Sequence, residues 1–482
     1  MTTNIDFAAI LPEILLLCGA CAVLLGDLFL ADARRHVSFW LTQAVLAVVA
    51  YSALATMPLQ PGEAFSGMVV DDVLADTLKF MCTVAVSLML FYGRGYSADR
   101  GLFRGETFVL SLFALLGMMV MIAAGSFVTL YLGLELLSLS LYAMVAMYRT
   151  SNIATEAAMK YFVLGALASG ILLYGMSMIY GASGSLDIAT VARTLASGQG
   201  ERTILLFGLV FLVSGVAFKL GAVPYHMWVP DVYDGAPTVV TLLIGTAPKL
   251  AVYAFMLRLL GVALSSLWFD WQGMLMVLAV LSMILGNVVA IAQTSMKRML
   301  AYSSIANMGF MLMGFLAANP SGYSAAMFYA IAYVLTSLAS FGMIMLLSRE
   351  GFEADQLADF KGLNKRSPWW AFMMLLVMFS LAGVPPTLGF YAKFVVIQAA
   401  VDAGFIWLAV VAVMTSVIGA FYYLRVVKLM YFDDATDTAP IDARADNRWV
   451  LSVNGLALLV FGIFPQHLLG ICVVALANSG LL

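Results

Sequence analysis

Long apolar runs separated by short polar connections dominate the chain. A helical run of about 20 apolar residues crosses the roughly 30 Å of a hydrocarbon layer. Fourteen such runs can be placed, at approximately 8–30, 37–57, 70–92, 107–124, 126–148, 157–180, 203–229, 237–260, 272–292, 299–318, 322–348, 368–400, 404–430 and 449–476. The longest connections are 181–202, rich in Gly and Ser, 349–367, which contains EGFEADQLADFKGLNKRS, and 431–448, which contains DDATDTAPIDARADNR. None has room for a folded domain. The pattern predicts an all-α polytopic membrane protein of about 14 transmembrane helices.

Composition agrees and removes other classes. Of 482 residues, 63% are hydrophobic and only 11% charged, with a mean hydropathy of +0.99. The net charge of −3, without a basic stripe interleaved with aromatics, excludes a nucleic-acid partner. Cys18, Cys21, Cys82 and Cys472 all lie inside apolar runs and read as small core residues, since a structural metal or Fe–S site needs a full ligand set. No cationic segment precedes the first apolar run, MTTNIDFAAILPEILLLCGACAVLLGDLF, so a retained first helix is expected rather than a cleaved signal.

Lys and Arg in the connections set the orientation, because positive residues stay cytoplasmic during insertion. With the N-terminus outside, the inner connections hold Arg34, Arg35, Arg94, Arg100, Arg104, Arg149, Lys297, Arg298, Arg349, Lys361, Lys365, Arg366, Arg425, Lys428, Arg444 and Arg448, and the outer ones only Arg193, Arg202 and Arg258. Both termini are therefore expected on the outer side, with 349–367 inside and 181–202 outside.

Five lysines belong to no connection: Lys79, Lys160, Lys219, Lys249 and Lys393. Lys79, in DDVLADTLKF, is expected to snorkel at the outer end of its helix beside Asp72 and Asp76. Lys160 follows Glu156 by four residues and reads either as an interfacial i,i+4 pair or as a proton-loading group at an inner mouth. Lys219 and Lys249 fall deep inside their runs, and a lysine at mid-membrane costs roughly 2.5–3.5 kcal/mol on insertion scales, so each must face protein or trapped water and find a partner. Glu135, roughly 14 Å along the fifth run at ~1.5 Å per residue, is the expected partner of Lys219.

Helix breakers accompany the deep lysines. Lys219 stands five residues before Pro224, and Lys393 follows Gly383, Pro385, Pro386 and Gly389. Two broken, lysine-bearing runs five spans apart make helices 4–8 and 9–13 candidates for inverted five-helix repeats with broken helices 7 and 12, a transporter arrangement. The expected division is 1–106 as an N-terminal three-helix segment, 107–262 and 263–430 as the two repeats, and 431–482 as an inner loop with helix 14.

The stretches FKLGAVPYHMWVPDVYDGAPTVVT (218–241) and MKRMLAYSSIANMGFMLMG (296–314) resemble the antiporter-like subunits of respiratory complex I and of Mrp-type cation/proton antiporters. Within that family the resemblance spans essentially the whole chain and is greatest to the subunit N branch, given the opening PEILLLCGACAVLLGDLF, the lack of a long C-terminal lateral helix, and lysine at Lys393. The resemblance implies a proton relay of Glu135, Lys219, Lys249 and Lys393: Lys219 as central carrier, Glu135 as its ion-pair partner, Lys249 as the bridge to the second half and Lys393 as the exit-side carrier. His226 is a candidate extension of the relay or a structural histidine, and Tyr302, Ser303 and Ser304 are candidates to hold water between Lys249 and Lys393.

The sequence carries no Rossmann fingerprint, Fe–S cysteine set or haem attachment motif. This chain is thus expected to bind no cofactor, with FMN, Fe–S clusters and quinone in partner subunits, and neighbouring antiporter-like subunits and lipids as its contacts in a bacterial inner membrane. Other readings are an Mrp- or hydrogenase-type cation/proton antiporter subunit, a stand-alone proton-coupled solute transporter, or a structural spacer.

Overall fold

The computed structural model describes residues 6–31, 34–435, 437, 439–441 and 444–480. The helices are α1 (Leu11–Leu28), α2 (His36–Ala55), α3 (Val73–Asp99), α4 (Gly105–Ile122), α5 (Phe127–Val145), α6 (Asn152–Ser183), α7 (Ile188–Ala196), α8 (Arg202–Leu220), α9 (Trp228–Gly235), α10 (Thr238–Gly245) and α11 (Ala247–Met256), the last continuing as a π-helical turn, Leu257–Ala263. They go on as α12 (Trp268–Ile291), α13 (Met296–Leu316), α14 (Pro320–Leu347), α15 (Leu363–Arg366), α16 (Pro368–Ala382), α17 (Leu388–Asp402), α18 (Ile406–Phe432), α19 (Ala445–Ile463) and α20 (Pro465–Ala477).

Among the described residues, twelve helical units are long and apolar enough to cross a membrane: α1 to α6, α8, the unit from α10 to the π-helical turn, α12, α13, α14 and α18. A thirteenth is present if α19 and α20, bent by 83°, form one span. The expected count of about fourteen is not reached as unbroken helices. The run at 368–400 divides into α16 and α17, 15 residues each, and a 15-residue helix is shorter than the hydrocarbon layer.

Two connections hold more structure than their composition suggests. Residues Gly62–Ala64 (β1) and Val69–Asp71 (β2) pair as an antiparallel hairpin, and the Gly/Ser-rich 181–202 stretch contains α7. Helix starts follow ordinary capping chemistry. Asp72 accepts from Ala75 N at 2.6 Å, Ser126 and Thr129 form a capping box on α5, and Asp187 caps α7 through Thr190 N at 2.7 Å.

The unit from α10 to the π-helical turn is wholly buried and α13 and α14 nearly so, so these three form the centre, with α1, α6, α12 and α18 largely outward-facing. Two helix pairs, α4–α5 and α12–α13, pack most tightly. A Cβ on Gly117 would lie 2.5 Å from Leu137 N, and one on Gly133 would lie 2.6 Å from Met121 N. In the second pair Gly286 and Gly309 do the same work, facing Ala306 N at 2.6 Å and Ala279 O at 2.8 Å. Small residues are what let helices approach this closely where lipid supplies no hydrophobic drive between them.

On the basic face, Arg349 donates to Asp437 at 2.7 Å and Arg366 lies 3.2 Å from the same oxygen, tying the start of the 349–367 connection to the 431–448 connection. The Arg349 hydrogen bond holds the Asp437 carboxyl below the usual carboxylate range. Residues 436, 438, 442 and 443 of the second connection, and the chain ends 1–5 and 481–482 that the sequence places outside, lie outside the described residues.

Candidate functional site

Both breaks are built in the same way. Helix α8 ends at Leu220 and α16 at Ala382, each followed by a glycine at positive φ, Gly221 (+76°) and Gly383 (+83°), which a side chain rarely tolerates. Each glycine N–H turns back onto the last helical turn, at Phe218 O and Ser380 O, and a cis peptide follows at Val223–Pro224 and Pro385–Pro386. The chain then resumes as α9 and α17. Without a continuing helix, the last carbonyls of α8 and α16 lack intrahelical donors and carry the negative end of the helix dipole.

A lysine meets each of these ends. Lys249, from α11, is 1% exposed and donates to Leu220 O at 2.8 Å. Lys393, from α17, is 9% exposed and donates to Leu381 O and Ala382 O, both at 3.0 Å, and to Ser416 Oγ at 3.0 Å, with its ammonium 5.1 Å from the Phe310 ring centroid. Lys219 differs, because it belongs to the helix that breaks. It donates to Ser138 Oγ at 2.8 Å and Ser169 Oγ at 3.3 Å.

That corrects one sequence expectation. Among the described residues no ion pair joins Lys219 to Glu135; hydroxyls of α5 and α6 hold the ammonium instead. Glu135 is partly buried one turn before Ser138, and its Oε1 is buried without a hydrogen-bond partner among the described residues. The carboxylate is close enough for its charge to act on Lys219 without pairing with it.

The remaining candidates separate by position. His226 is half-buried in the turn between α8 and α9, and its buried Nδ1 has no hydrogen-bond partner among the described residues. Lys160 makes the expected pair with Glu156 at 2.8 Å but also binds Asp231 of α9 at 2.8 Å, and Asp231 in turn meets Arg298 at 3.1 Å. Tyr302 is only partly buried against the apolar core, where its backbone oxygen faces Gly286, and its side chain makes no hydrogen bond among the described residues.

Its neighbours carry the polar connection instead. Ser303 bonds Tyr423, Asn307 donates to Ser303 O at 2.8 Å, and Tyr329 donates to Asn307 Oδ1 at 2.6 Å. Ser304 lies beside the Tyr233 and Tyr333 hydroxyls. A small cavity of about 10 Å³ joins Asn307, Tyr333, Thr336 and Ser380 to Lys393, room for about one water molecule. Polar groups therefore run from the centre of the molecule to Lys393.

Three charged groups differ from what the sequence suggested. Lys79 does not snorkel; it is fully buried and paired with Glu13 at 2.9 Å and Asp76 at 3.3 Å. Arg258, counted with the outer connections, is 1% exposed and bonds Asp72 at 2.9 Å and Ile122 O at 2.8 Å. Lys297, counted with the inner connections, is 3% exposed and donates to Asp234 O and Ala236 O. The only sequence signal for these pairings was charge beside an apolar run, which does not say what lies across the bundle.

The family model for the membrane part of the NADH:quinone oxidoreductase/Mrp antiporter proteins matches residues 124–419. NADH-quinone oxidoreductase subunit N of Thiobacillus denitrificans is 57% identical over 474 residues, covering 98% of this chain and 98% of that one. The chain belongs to the subunit N family of NADH-quinone oxidoreductases. Like the rest of the subunit N family it is an integral membrane protein. A chain of respiratory complex I from Thermus thermophilus superimposes with a TM-score of 0.82 at 30% identity, covering 95% of this chain and 98% of that one. The Mrp complex from Dietzia sp. gives a TM-score of 0.85 over 99% and 98% of the two chains, but at 22% identity, and so shows a common fold alone.

Proposed function

We propose that this chain is a proton-translocating subunit of the membrane arm of NADH-quinone oxidoreductase, set beside other antiporter-like subunits in a bacterial inner membrane. The observation that carries the reading is the pair of buried lysines, Lys249 and Lys393, each on the open carbonyl end of a helix broken in the membrane. The subunit N relatives supply the assembly, and the geometry supplies the groups. In this reading Lys219 is the central carrier, Glu135 modulates it, Lys249 passes the proton towards the second half, and Lys393 delivers it. The unpartnered Glu135 Oε1 leaves that carboxylate free to approach the ammonium when the proton moves. Moving one proton against 100 mV requires ~2.3 kcal/mol, within what making or breaking a buried ion pair supplies. NADH oxidation and quinone reduction belong to partner subunits, which would carry the FMN, Fe–S clusters and quinone. The bulk of the cationic connections would face the cytoplasm and both termini the opposite side.

Lys219→Arg in the assembled complex tests the carrier role. Arginine keeps the charge but does not release a proton in a protein. Translocation and the electron transfer coupled to it should fall at least tenfold in both Lys219→Arg and Lys219→Ala. Glu135→Gln should be milder than either, since the titrating amine remains. Normal pumping by assembled Lys219→Arg would leave Lys219 a structural charge.

A further inference from the structure

Glu13 on α1 and Asp76 and Lys79 on α3 form a second buried charge cluster, which the relay does not use. Lys79 Nζ is 2.9 Å from Glu13 Oε1 and 3.3 Å from Asp76 Oδ1, and the three side chains are 0%, 9% and 2% exposed in that order. One cation thus faces two carboxyl groups. The other oxygens, Glu13 Oε2 and Asp76 Oδ2, are buried and have no hydrogen-bond partner among the described residues. The charge does not balance from the surroundings either. Asp72, one turn before Asp76, is already matched by Arg258 of the π-helical turn, and Asp71 on β2 adds a further negative charge at a partly exposed position. An unpaired carboxylate in such a place is so costly that it takes up a proton instead.

The neighbouring charge pair lies beside a cavity. Arg258 lines a cavity of about 540 Å³ bounded by Glu63, Val70, Gly125, Ile188 and Val262, large enough for many waters at about 30 Å³ each. From that cavity the polar groups run inward as Arg258, Asp72 and, one helical turn on, Asp76.

We propose that Glu13 and Asp76 hold one proton between them against Lys79. This makes the junction of α1 and α3 a protonation site separate from the four-residue relay.

Infrared spectra of the assembled complex test it. Subtracting Glu13→Gln, and separately Asp76→Asn, from the unsubstituted complex should each reveal the loss of one protonated-carboxyl carbonyl band that shifts in D₂O. Either replacement leaves the remaining carboxylate paired with Lys79, so assembly is expected, and if one variant fails to assemble the other reports the same band. An assembled variant that loses no such band means both groups are ionised and overturns the proposal. None of these readouts uses proton pumping, so failure here and failure of the relay are distinguishable.

Discussion

A lysine is tolerated within a membrane bundle where its N–H donors are accepted, and this chain accepts them in three ways. Hydroxyls hold Lys219, helix-end carbonyls hold Lys249 and Lys393, and carboxylates hold Lys79. The sequence shows each lysine's cost but not its acceptor. Lys79 illustrates why: Asp76 lies within one turn and was visible as a neighbour, whereas Glu13 meets it only because α1, packed against α2 and α4, brings its first turn to Lys79. Glu135 illustrates the reverse, since depth alone matched it to Lys219, whose ammonium is held by Ser138 and Ser169 instead. The chemistry of Lys79 makes a stability prediction. Lys79→Met leaves two buried carboxyl groups without their cation, and breaking a buried pair typically costs about 3–5 kcal/mol. The yield of assembled complex and its Tm should both fall, and adding Glu13→Gln to the same chain should recover part of each. Unchanged assembly and Tm in Lys79→Met would show that the cluster contributes nothing to the fold.

At the level of helices, the breaks were legible because Gly and Pro announce them. Gly221 and Gly383 end their helices at positive φ, and the prolines that follow cannot continue the hydrogen-bond ladder. What the breakers do not announce is which lysine meets the open helix end. Lys249 of α11 reaches the end of α8, while Lys393 folds back from α17 onto the end of α16. The glycine contacts of α4–α5 and α12–α13 were equally silent, since an isolated glycine in an apolar run looks the same whether it faces lipid or a helix. Gly133→Leu should therefore force α5 from α4, because even a Cβ there would lie 2.6 Å from Met121 N and 2.8 Å from Gly117 O. Overpacking of this kind costs roughly 1–3 kcal/mol. It would also displace Glu135, two residues on, so both Tm and proton translocation should drop. Gly273→Leu in α12, where no atom lies within 4 Å of the added Cβ, is the matched control and should change neither. Equal effects from the two replacements would remove the close-packing argument.

For the whole molecule, hydropathy resolved the class because a chain in lipid must satisfy its backbone within helices, and Lys/Arg asymmetry gave an orientation. Neither signal could foresee the hairpin or α7, which are too short to register as membrane spans, although Ile188, Val191 and Leu195 recur along one face of α7. Orientation also survives the reassignment of two residues: Arg258 and Lys297, one from each side of the count, are buried, and the remaining excess is still on the face carrying 349–367. A labelling experiment tests it directly. Ser197, after α7, and Glu350, after α14, are both exposed on their connections. Gly362 would be a poor reporter on the same face, because its φ of +63° disfavours a side chain and an added Cβ would meet Ala435 N at 2.4 Å. The background is manageable, since Cys82 and Cys472 are buried and Cys18 and Cys21, exposed on the surface of α1, can be replaced by serine. In intact cells a membrane-impermeant maleimide should label Ser197→Cys and leave Glu350→Cys unmodified until the membrane is opened. Inside-out vesicles should give the opposite pattern. Labelling of Glu350→Cys in intact cells with Ser197→Cys protected would turn the molecule over, moving the Arg258-lined cavity to the cytoplasmic side and reversing the direction in which Lys219, Lys249 and Lys393 would have to deliver their protons.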